Sequence, residues 1–170
     1  MRKVFLVCLA LMVLSAVPCL AGSIEFSGRA GLYSPSVTGA NMSLMYGIAA
    51  YYDLNENWSL RGAVDTTTYS VYGQQFTYTP ISLDVIYTQR LGNNLYPYAG
   101  LGVSYNSTTS AGNTLTTTGA QAEAGIRLAL GMFTAGVEFR YLFPDLSNLN
   151  LGGSSFNGYA TGSVFHTLYI

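Results

Sequence analysis

The sequence has little charge, few cysteines and no long apolar run beyond its N-terminus. Charged residues make up 9 % of the 170 residues and aromatic residues 14 %. No run of about 18 apolar residues occurs after the N-terminal segment, which excludes a transmembrane helix there. A chain of this composition that crosses a membrane must cross it as strands. The strands must form a closed sheet, because an open sheet edge leaves backbone groups unsatisfied in hydrocarbon.

The N-terminal residues are typical of a secretory signal peptide. Arg2 and Lys3 precede an unbroken apolar run over residues 4–14, and small residues follow the run. We expect residues 1–21 to be a signal peptide that is removed by cleavage after Ala21. Residues 22–170 then form a single domain, since the length suits one domain only.

Both cysteines, Cys8 and Cys19, lie in the predicted signal peptide. The mature chain would then have no thiol, which excludes disulfides, thiolate metal sites and a cysteine nucleophile. An alternative is that Cys19 is the acylated first residue of a lipoprotein, but Pro18 stands where a small residue is usual. After removal of Arg2 and Lys3, the chain has five arginines and eight acidic residues. It contains no stripe of basic residues of the kind that binds nucleic acid.

From residue 23 onward, apolar and polar residues alternate with a period of two, which indicates β-strands. The first segment shows the pattern: Ile24, Phe26 and Leu32 share one face, and Glu25 and Arg29 share the other. The two faces of the last segment are less distinct, so its register stays open. The predicted strands are, approximately, residues 24–33, 44–54, 58–66, 77–89, 95–105, 117–130, 133–141 and 158–170.

The connections between these segments alternate between short and long. The long ones follow the first, third, fifth and seventh segments, at residues 34–43, 67–76, 106–116 and 144–157. Short periplasmic turns and long outer loops are typical of bacterial outer-membrane barrels. The sequence therefore predicts an all-β fold, an eight-stranded antiparallel up-and-down transmembrane β-barrel with periplasmic termini. Tyrosines and Trp58 near strand ends would form its aromatic girdles.

Nine of the thirteen charged residues left after Arg2 and Lys3 are removed fall on the polar face of their strands. They are Glu25, Arg29, Arg61, Asp65, Asp84, Glu123, Arg127, Glu138 and Arg140. A basic residue facing lipid near the bilayer midplane costs roughly 2–4 kcal/mol, so these side chains should face the lumen. Two interpretations remain: a structural core in which the charges pair and fill the barrel, or a polar conduit gated by rearranging pairs.

The predicted long loops contain almost no charge and are rich in Thr, Ser, Asn, Gly and Tyr. In the second loop, Tyr69, Tyr72 and Phe76 are candidate contacts for a partner, because rigid aromatic residues among small polar ones suit binding. The alternative is a flexible, soluble surface. The lack of charge argues against a polyanion receptor and against a calcium cage.

The sequence offers little support for an enzyme or a cofactor. The only histidine, His166, is predicted at the periplasmic end, away from the outer loops, so no Ser-His-Asp arrangement can be assembled with it. One histidine without cysteine makes no convincing transition-metal site. Gly100 and Gly102 begin a phosphate-loop pattern, but Tyr105 replaces its third glycine. These glycines are better interpreted as relieving crowding inside the barrel.

Two strand motifs resemble the outer-membrane-protein β-barrel family, which includes the OmpA transmembrane domain and OmpX-like proteins. Residues 96–103 resemble the family's Pro-Tyr-x-Gly-x-Gly strand, and residues 135–141 resemble its penultimate strand. The resemblance implies eight strands, a lumen filled by side chains, contact with outer-membrane lipid and insertion by the barrel assembly machinery. It implies no single activity, since members serve as adhesins, anchors, minor pores and channels.

These observations favour a structural or surface-interaction (adhesin-like) protein of the bacterial outer membrane that is not an enzyme. Its expected partners are outer-membrane lipid, the assembly machinery and an extracellular surface ligand. A narrow channel for ions or small solutes is the alternative function. A soluble lipocalin-like barrel is the alternative fold, but its charges should face outward, whereas here they share the face with the smaller residues.

Overall fold

The computed structural model describes residues 24–131, 133–146 and 159–169, the last range by its backbone only. The predicted signal peptide, residues 1–21, lies outside the described residues. The strands are β1 (Ile24–Ser34), β2 (Ser43–Asp53), β3 (Trp58–Val71), β4 (Gln74–Thr88), β5 (Leu95–Ser110), β6 (Asn113–Leu130), β7 (Phe133–Phe143) and β8 (Tyr159–Tyr169). The described residues contain no helix long and apolar enough to cross a membrane.

Every strand pairs antiparallel with its neighbours in sequence, and β8 pairs with β1 to close the barrel. The predicted eight-stranded antiparallel barrel is confirmed. The register of the last strand, which the sequence left open, aligns the backbone of His166 with Gly28 on one side and Ala135 on the other. The side chain of His166 lies outside the described residues.

The two faces of the sheet differ as the period of two predicts. The outward face is exposed and apolar, with Ile24, Phe26, Leu44, Ile48, Leu83, Leu101, Val103, Val137 and Phe139 among its residues. The inward face is buried and mostly polar, and its largest fully buried side chains are those of Arg61 and Arg140. This inverted arrangement suits a barrel surrounded by hydrocarbon, where apolar residues face lipid. It excludes the lipocalin-like alternative, which needs the opposite arrangement.

Two of the four predicted long loops are wrong, because strands run through most of their residues. The segments 67–76 and 106–116 are the upper parts of two long hairpins, β3–β4 and β5–β6. Thr and Tyr have high β propensity, and each hairpin closes with a two-residue turn. In both turns the two residues have positive φ, namely 49° and 84° at Tyr72-Gly73 and 48° and 81° at Ala111-Gly112. Such turns match the twist of a hairpin.

The upper parts of β3–β6 form a four-stranded sheet, which we call the ribbon (residues 66–79 and 105–118). Thr66 and Thr67 at its base still pair with Tyr46 and Met45 of β2, and the rest of the ribbon lies beyond the paired ends of β2 and β7. The first connection, residues 35–42, does form a loop and lies along the free edge of β3. The amide of Asn41 donates to the carbonyl of Ser70 at 3.0 Å, and the amide of Tyr72 donates to Gly39 at 3.3 Å. The opposite end of the barrel has the predicted short turns.

Candidate functional site

The structure buries eight of the nine predicted lumen charges, and the ninth, Arg127, is partly buried. Seven of them form a connected cluster in the middle of the barrel, which we call the central network: Arg29, Arg61, Asp65, Asp84, Glu123, Glu138 and Arg140. The other two, Glu25 and Arg127, approach to 3.8 Å toward the periplasmic end. The four other charged residues that the structure describes, Asp53, Glu56, Arg90 and Asp145, lie near turns or in a connection.

Arg61 on β3 is the centre of the network and is completely buried. Its guanidinium donates to Oδ2 of Asp84 at 2.9 and 3.0 Å and to Oε2 of Glu138 at 2.7 Å. A third acceptor is Oε2 of Glu123. These acceptors come from β4, β7 and β6, so one side chain connects opposite walls of the barrel.

Two further arginines complete the network. Arg140 donates to Asp65 at 2.8 Å and to Glu138 at 2.6 Å, and its Nε lies 3.3 Å from Glu123. Arg29 donates to both carboxylate oxygens of Asp65. Three cations therefore face four carboxylates, and the close balance offsets the desolvation that burial of each charge costs.

Each carboxylate of the network lies opposite a glycine on a neighbouring strand. Asp65 pairs with Gly47, Asp84 with Gly102, Glu123 with Gly100 and Glu138 with Gly125. A methyl group at Gly100 would lie 2.6 Å from Oε1 of Glu123, and one at Gly102 would lie 2.6 Å from the carbonyl of Leu83 and overlap the Asp84 carboxylate. The space for the acidic side chains therefore depends on missing Cβ atoms, as predicted for Gly100 and Gly102.

Neutral side chains that the sequence analysis did not single out hold the carboxylates in place. The hydroxyl of Tyr98 donates to Glu138 at 2.9 Å, that of Ser82 donates to Asp84 at 3.2 Å, and the amide of Gln121 also donates to Asp84. All of these residues are buried. The signal that could have found them is their position on the polar face of their strands.

The end of the lumen with the short turns, which is predicted to face the periplasm, contains a cavity of about 160 Å³ that is lined by Glu25, Trp58, Thr88, Tyr96 and Arg127, among others. The guanidinium of Arg127 lies 4.9 Å from the ring centre of Tyr98 and 5.1 Å from that of Tyr51. It also donates to Thr88 at 3.0 Å. Arg127 and the two rings thus separate this cavity from the central network.

The extracellular end of the lumen is filled by an aromatic cluster, which we call the tyrosine layer: Tyr33, Tyr69, Tyr78, Met45 and Leu142. The ring centre of Tyr33 lies 5.4 Å from that of Tyr78 and 5.6 Å from that of Tyr69. The hydroxyl of Tyr78 donates to Asn106 at 2.8 Å, and the amide of Asn106 donates to the carbonyl of Pro144 at the same distance.

The predicted loop contacts Tyr69, Tyr72 and Phe76 do not form one exposed patch. Tyr69 is buried in the tyrosine layer, and Phe76 is half-buried and stacks on it at 5.6 Å. Alternation explains this correction, because Tyr69 stands at an inward position of β3 rather than in a loop. Only Tyr72, at the hairpin turn, is strongly exposed, at 80 %.

The charged side chains of the lumen pair with one another and pack the interior of the barrel. Among the residues with described side chains, 24–131 and 133–146, no group of three His, Cys, Asp or Glu is arranged to hold a metal ion. Each of the three arginines of the central network forms an ion pair with at least one buried carboxylate.

A closed up-and-down barrel with apolar residues outside and paired charges inside defines a small outer-membrane β-barrel protein. The chain belongs to the outer membrane protein beta-barrel domain family, whose model matches residues 6–162, and its location is therefore the bacterial outer membrane. No functionally curated protein matches the sequence significantly.

Solved structures share the fold at low sequence identity. Neisserial surface protein A (NspA) is 20 % identical, with a TM-score of 0.64 over 88 % of this chain and 97 % of that one. The N-terminal β-barrel domain of Pseudomonas aeruginosa OprF is 18 % identical, with a TM-score of 0.59 over 88 % and 99 %. The outer membrane enzyme PagL is 15 % identical, with a TM-score of 0.52 over 86 % and 99 %.

Proposed function

We propose that the protein is a non-enzymatic outer-membrane barrel with a closed lumen, and that its working surface is the extracellular ribbon. The observation that carries the proposal is the buried Arg61, which binds carboxylates on three other strands across the lumen. An eight-stranded barrel is only wide enough for side chains to fill its interior. We also propose that residues 1–21 are removed on export and that the barrel assembly machinery inserts residues 22–170.

Two layers support a closed lumen. In the central network, arginines pair with buried carboxylates. Moving an arginine away from its carboxylate would leave a buried charge without a partner, and this costs several kcal/mol. Above it, the tyrosine layer stacks at ring distances of 5.4–5.6 Å and is tied through Asn106 to the connection after β7. An ion would have to displace both layers to cross.

Three features support a surface role for the ribbon. Most of it extends beyond the paired ends of β2 and β7, it contains no charged residue, and it exposes Tyr72 at its tip. NspA, which shares the fold, is named as a surface protein. The outer membrane enzyme PagL shares the fold, so the fold alone does not argue against catalysis. The proposal that this protein is not an enzyme depends instead on the pairing of the buried carboxylates with arginines.

Single-channel conductance of the refolded protein in a planar bilayer tests the closed lumen. The variants are Arg61→Ala, which opens space in the network, and Gly62→Ala as a control on the outward face. We expect no steady conductance from the wild type or the control once insertion is verified by protease protection. A steady wild-type conductance that Arg61→Ala enlarges would overturn the proposal.

Adherence tests the surface role. A non-adherent bacterial strain that displays the protein should adhere to epithelial cell monolayers, and Tyr72→Ala should reduce that adherence. Val37→Ala, an exposed residue of the first connection, is the matched control. Equal adherence of displaying and non-displaying cells would contradict an adhesin-like role.

The second candidate function is a narrow channel gated by exchange of ion pairs. The observation that favours it is that Arg61 and Arg140 both contact Glu123 and Glu138. These arginines could exchange carboxylates without leaving any charge unpaired. The periplasmic cavity would be the entrance of such a path.

A further inference from the structure

The outward face of the ribbon carries two rows of hydroxyl side chains, which we call the threonine face. The lower row is Thr66, Thr79, Ser107 and Thr116, and the upper row is Thr68, Thr77, Thr109 and Thr114. The register places each member beside the next: Thr68 opposite Thr77, Thr77 opposite Thr109, and Thr109 opposite Thr114. All eight side chains are exposed or half-buried.

The threonine face continues the lipid-contacting surface upward. Directly below its lower row, the outward positions of β3, β4 and β5 are Val64, Ile81 and Tyr105, which are 43 %, 50 % and 53 % exposed. The corresponding position of β6 is Thr118. On β3–β5, an apolar row that ends in tyrosine marks the edge of the hydrocarbon. Because rows are two residues apart on each strand, the threonine face begins about 7 Å further along the strands, or about 5 Å higher for a strand tilt of about 40°. It therefore stands at the level of the outer-leaflet head groups.

Six of the eight hydroxyls of the face contact one another across strands as three pairs, Thr66 with Thr79, Thr68 with Thr77 and Thr109 with Thr114. The oxygens of Thr109 and Thr114 are 2.9 Å apart, and those of Thr66 and Thr79 are 3.2 Å apart. Two hydroxyl oxygens on neighbouring carbons of a sugar ring have a separation of the same size. A pair of threonines in mutual contact still has one donor and free acceptor positions, so it can bind such a diol with two hydrogen bonds.

The charge of the ribbon decides which ligand fits. Residues 66–79 and 105–118 contain no Asp, Glu, Lys, Arg or His. Phosphate and carboxylate groups are bound most strongly by arginine or lysine, so the face lacks the cations that would favour the charged parts of a glycolipid. Each row spans three inter-strand gaps of about 4.8 Å, or about 14 Å in all, which suits a short chain of neutral sugars.

We propose that the threonine face binds the uncharged saccharide of the outer-leaflet glycolipid that surrounds the barrel. The commitment to a membrane glycolipid, rather than a glycan on another cell, follows from the continuity of the face with the lipid-contacting row below it. This inference depends on the orientation of the barrel in the outer membrane and not on a closed lumen, so a conducting lumen would leave it intact.

The test measures binding of purified glycolipid to the full mature protein in phosphatidylcholine nanodiscs. The probes are a lipopolysaccharide whose core contains neutral hexoses and a deep-rough form that lacks those sugars but keeps the phosphates. The test variant replaces the upper row by Thr68→Val, Thr77→Val, Thr109→Val and Thr114→Val. Valine keeps the shape and the β propensity, so folding, checked by heat-modifiable gel migration, should be retained.

We expect the wild type to prefer the sugar-containing form and the valine variant to bind it about tenfold more weakly, because several neutral hydrogen bonds are lost. Replacing the same four residues by serine should preserve binding, since the hydroxyls remain. Ser36→Ala with Thr38→Val, exposed residues outside the face, should also preserve it.

Three results would overturn the proposal. The first is equal binding of both glycolipids by the wild type, and the second is unchanged binding by a folded valine variant. The third is that free neutral oligosaccharide competes as strongly as the membrane-anchored form in protein-containing nanodiscs, which would assign the face to soluble glycans instead.

Discussion

The glycines opposite the network carboxylates provide a sharp test of how the lumen is packed. Gly102 faces the lumen on β5 and Gly62 faces lipid on β3, and both stand in the middle of long strands. A methyl group at Gly102 would lie 2.6 Å from the carbonyl of Leu83 and overlap the carboxylate of Asp84, whereas one at Gly62 meets nothing within 4 Å. The same substitution, glycine to alanine, should therefore have opposite effects at the two positions.

The magnitudes follow from the two environments. Overpacking a full interior costs about 1–3 kcal/mol, so Gly102→Ala should lower the free energy of unfolding by that amount. Alanine in a strand is favoured over glycine by about 0.5–1 kcal/mol, so Gly62→Ala should raise it. The two variants should thus differ by about 1.5–4 kcal/mol.

Urea titration in lipid vesicles, followed by the fluorescence of the single tryptophan, Trp58, measures both free energies. Trp58 packs on Tyr87 at 5.0 Å and reports barrel unfolding without lying next to either glycine. Equal stabilities of the two variants, or a stabilised Gly102→Ala, would refute the packing argument, because the lumen would then have space that the structure assigns to Asp84.

Three further predictions concern the hydrogen bonds of the lumen and use the same titration. Arg61→Ala should lower the free energy of unfolding by about 3–5 kcal/mol, because it leaves the Asp84 carboxylate buried beside too few cations. The double variant Arg61→Ala with Asp84→Ala should recover part of this loss, and losses that simply add would contradict the prediction. Tyr98→Phe should cost about 1.5–3 kcal/mol through its lost bond to a charged carboxylate, and a wild-type midpoint would argue against that bond. Asn106→Ala should cost about 1–3 kcal/mol, since it leaves the Tyr78 hydroxyl and the Pro144 carbonyl without their partner, and no loss would show that water replaces it.

The sequence was sufficient to predict which face of each strand is inside the barrel. Alternation is a local property, so the charge of Arg61 and the apolar character of its neighbours Leu60 and Gly62 assign the face without any knowledge of partners. The lumen position of the charges followed from the cost of placing arginine in lipid.

The partners inside the lumen could not be predicted in the same way. Arg61 and Glu138 are 77 positions apart and meet only because the tilt and stagger of the strands bring β3 and β7 to one level. The same is true of the last strand, whose register with β1 is set by barrel closure.

The misassigned loops have a different cause. The threonine-rich segments are predicted as loops because polar residues dominate them, but a strand outside the membrane has no need of an apolar face. The turns that close these strands, Tyr72-Gly73 and Ala111-Gly112, are weaker signals than Asn-Gly. Tyr69 was therefore placed at the surface when it belongs to the lumen.

The placement of charges also affects how the barrel is assembled. Because side chains alternate, a slip of β3 by one residue would turn Arg61 and Asp65 toward hydrocarbon, and the arginine alone would cost roughly 2–4 kcal/mol near the midplane. A slip of β7 would do the same to Glu138 and Arg140. The lumen charges therefore disfavour misaligned pairings of these strands once they are surrounded by hydrocarbon.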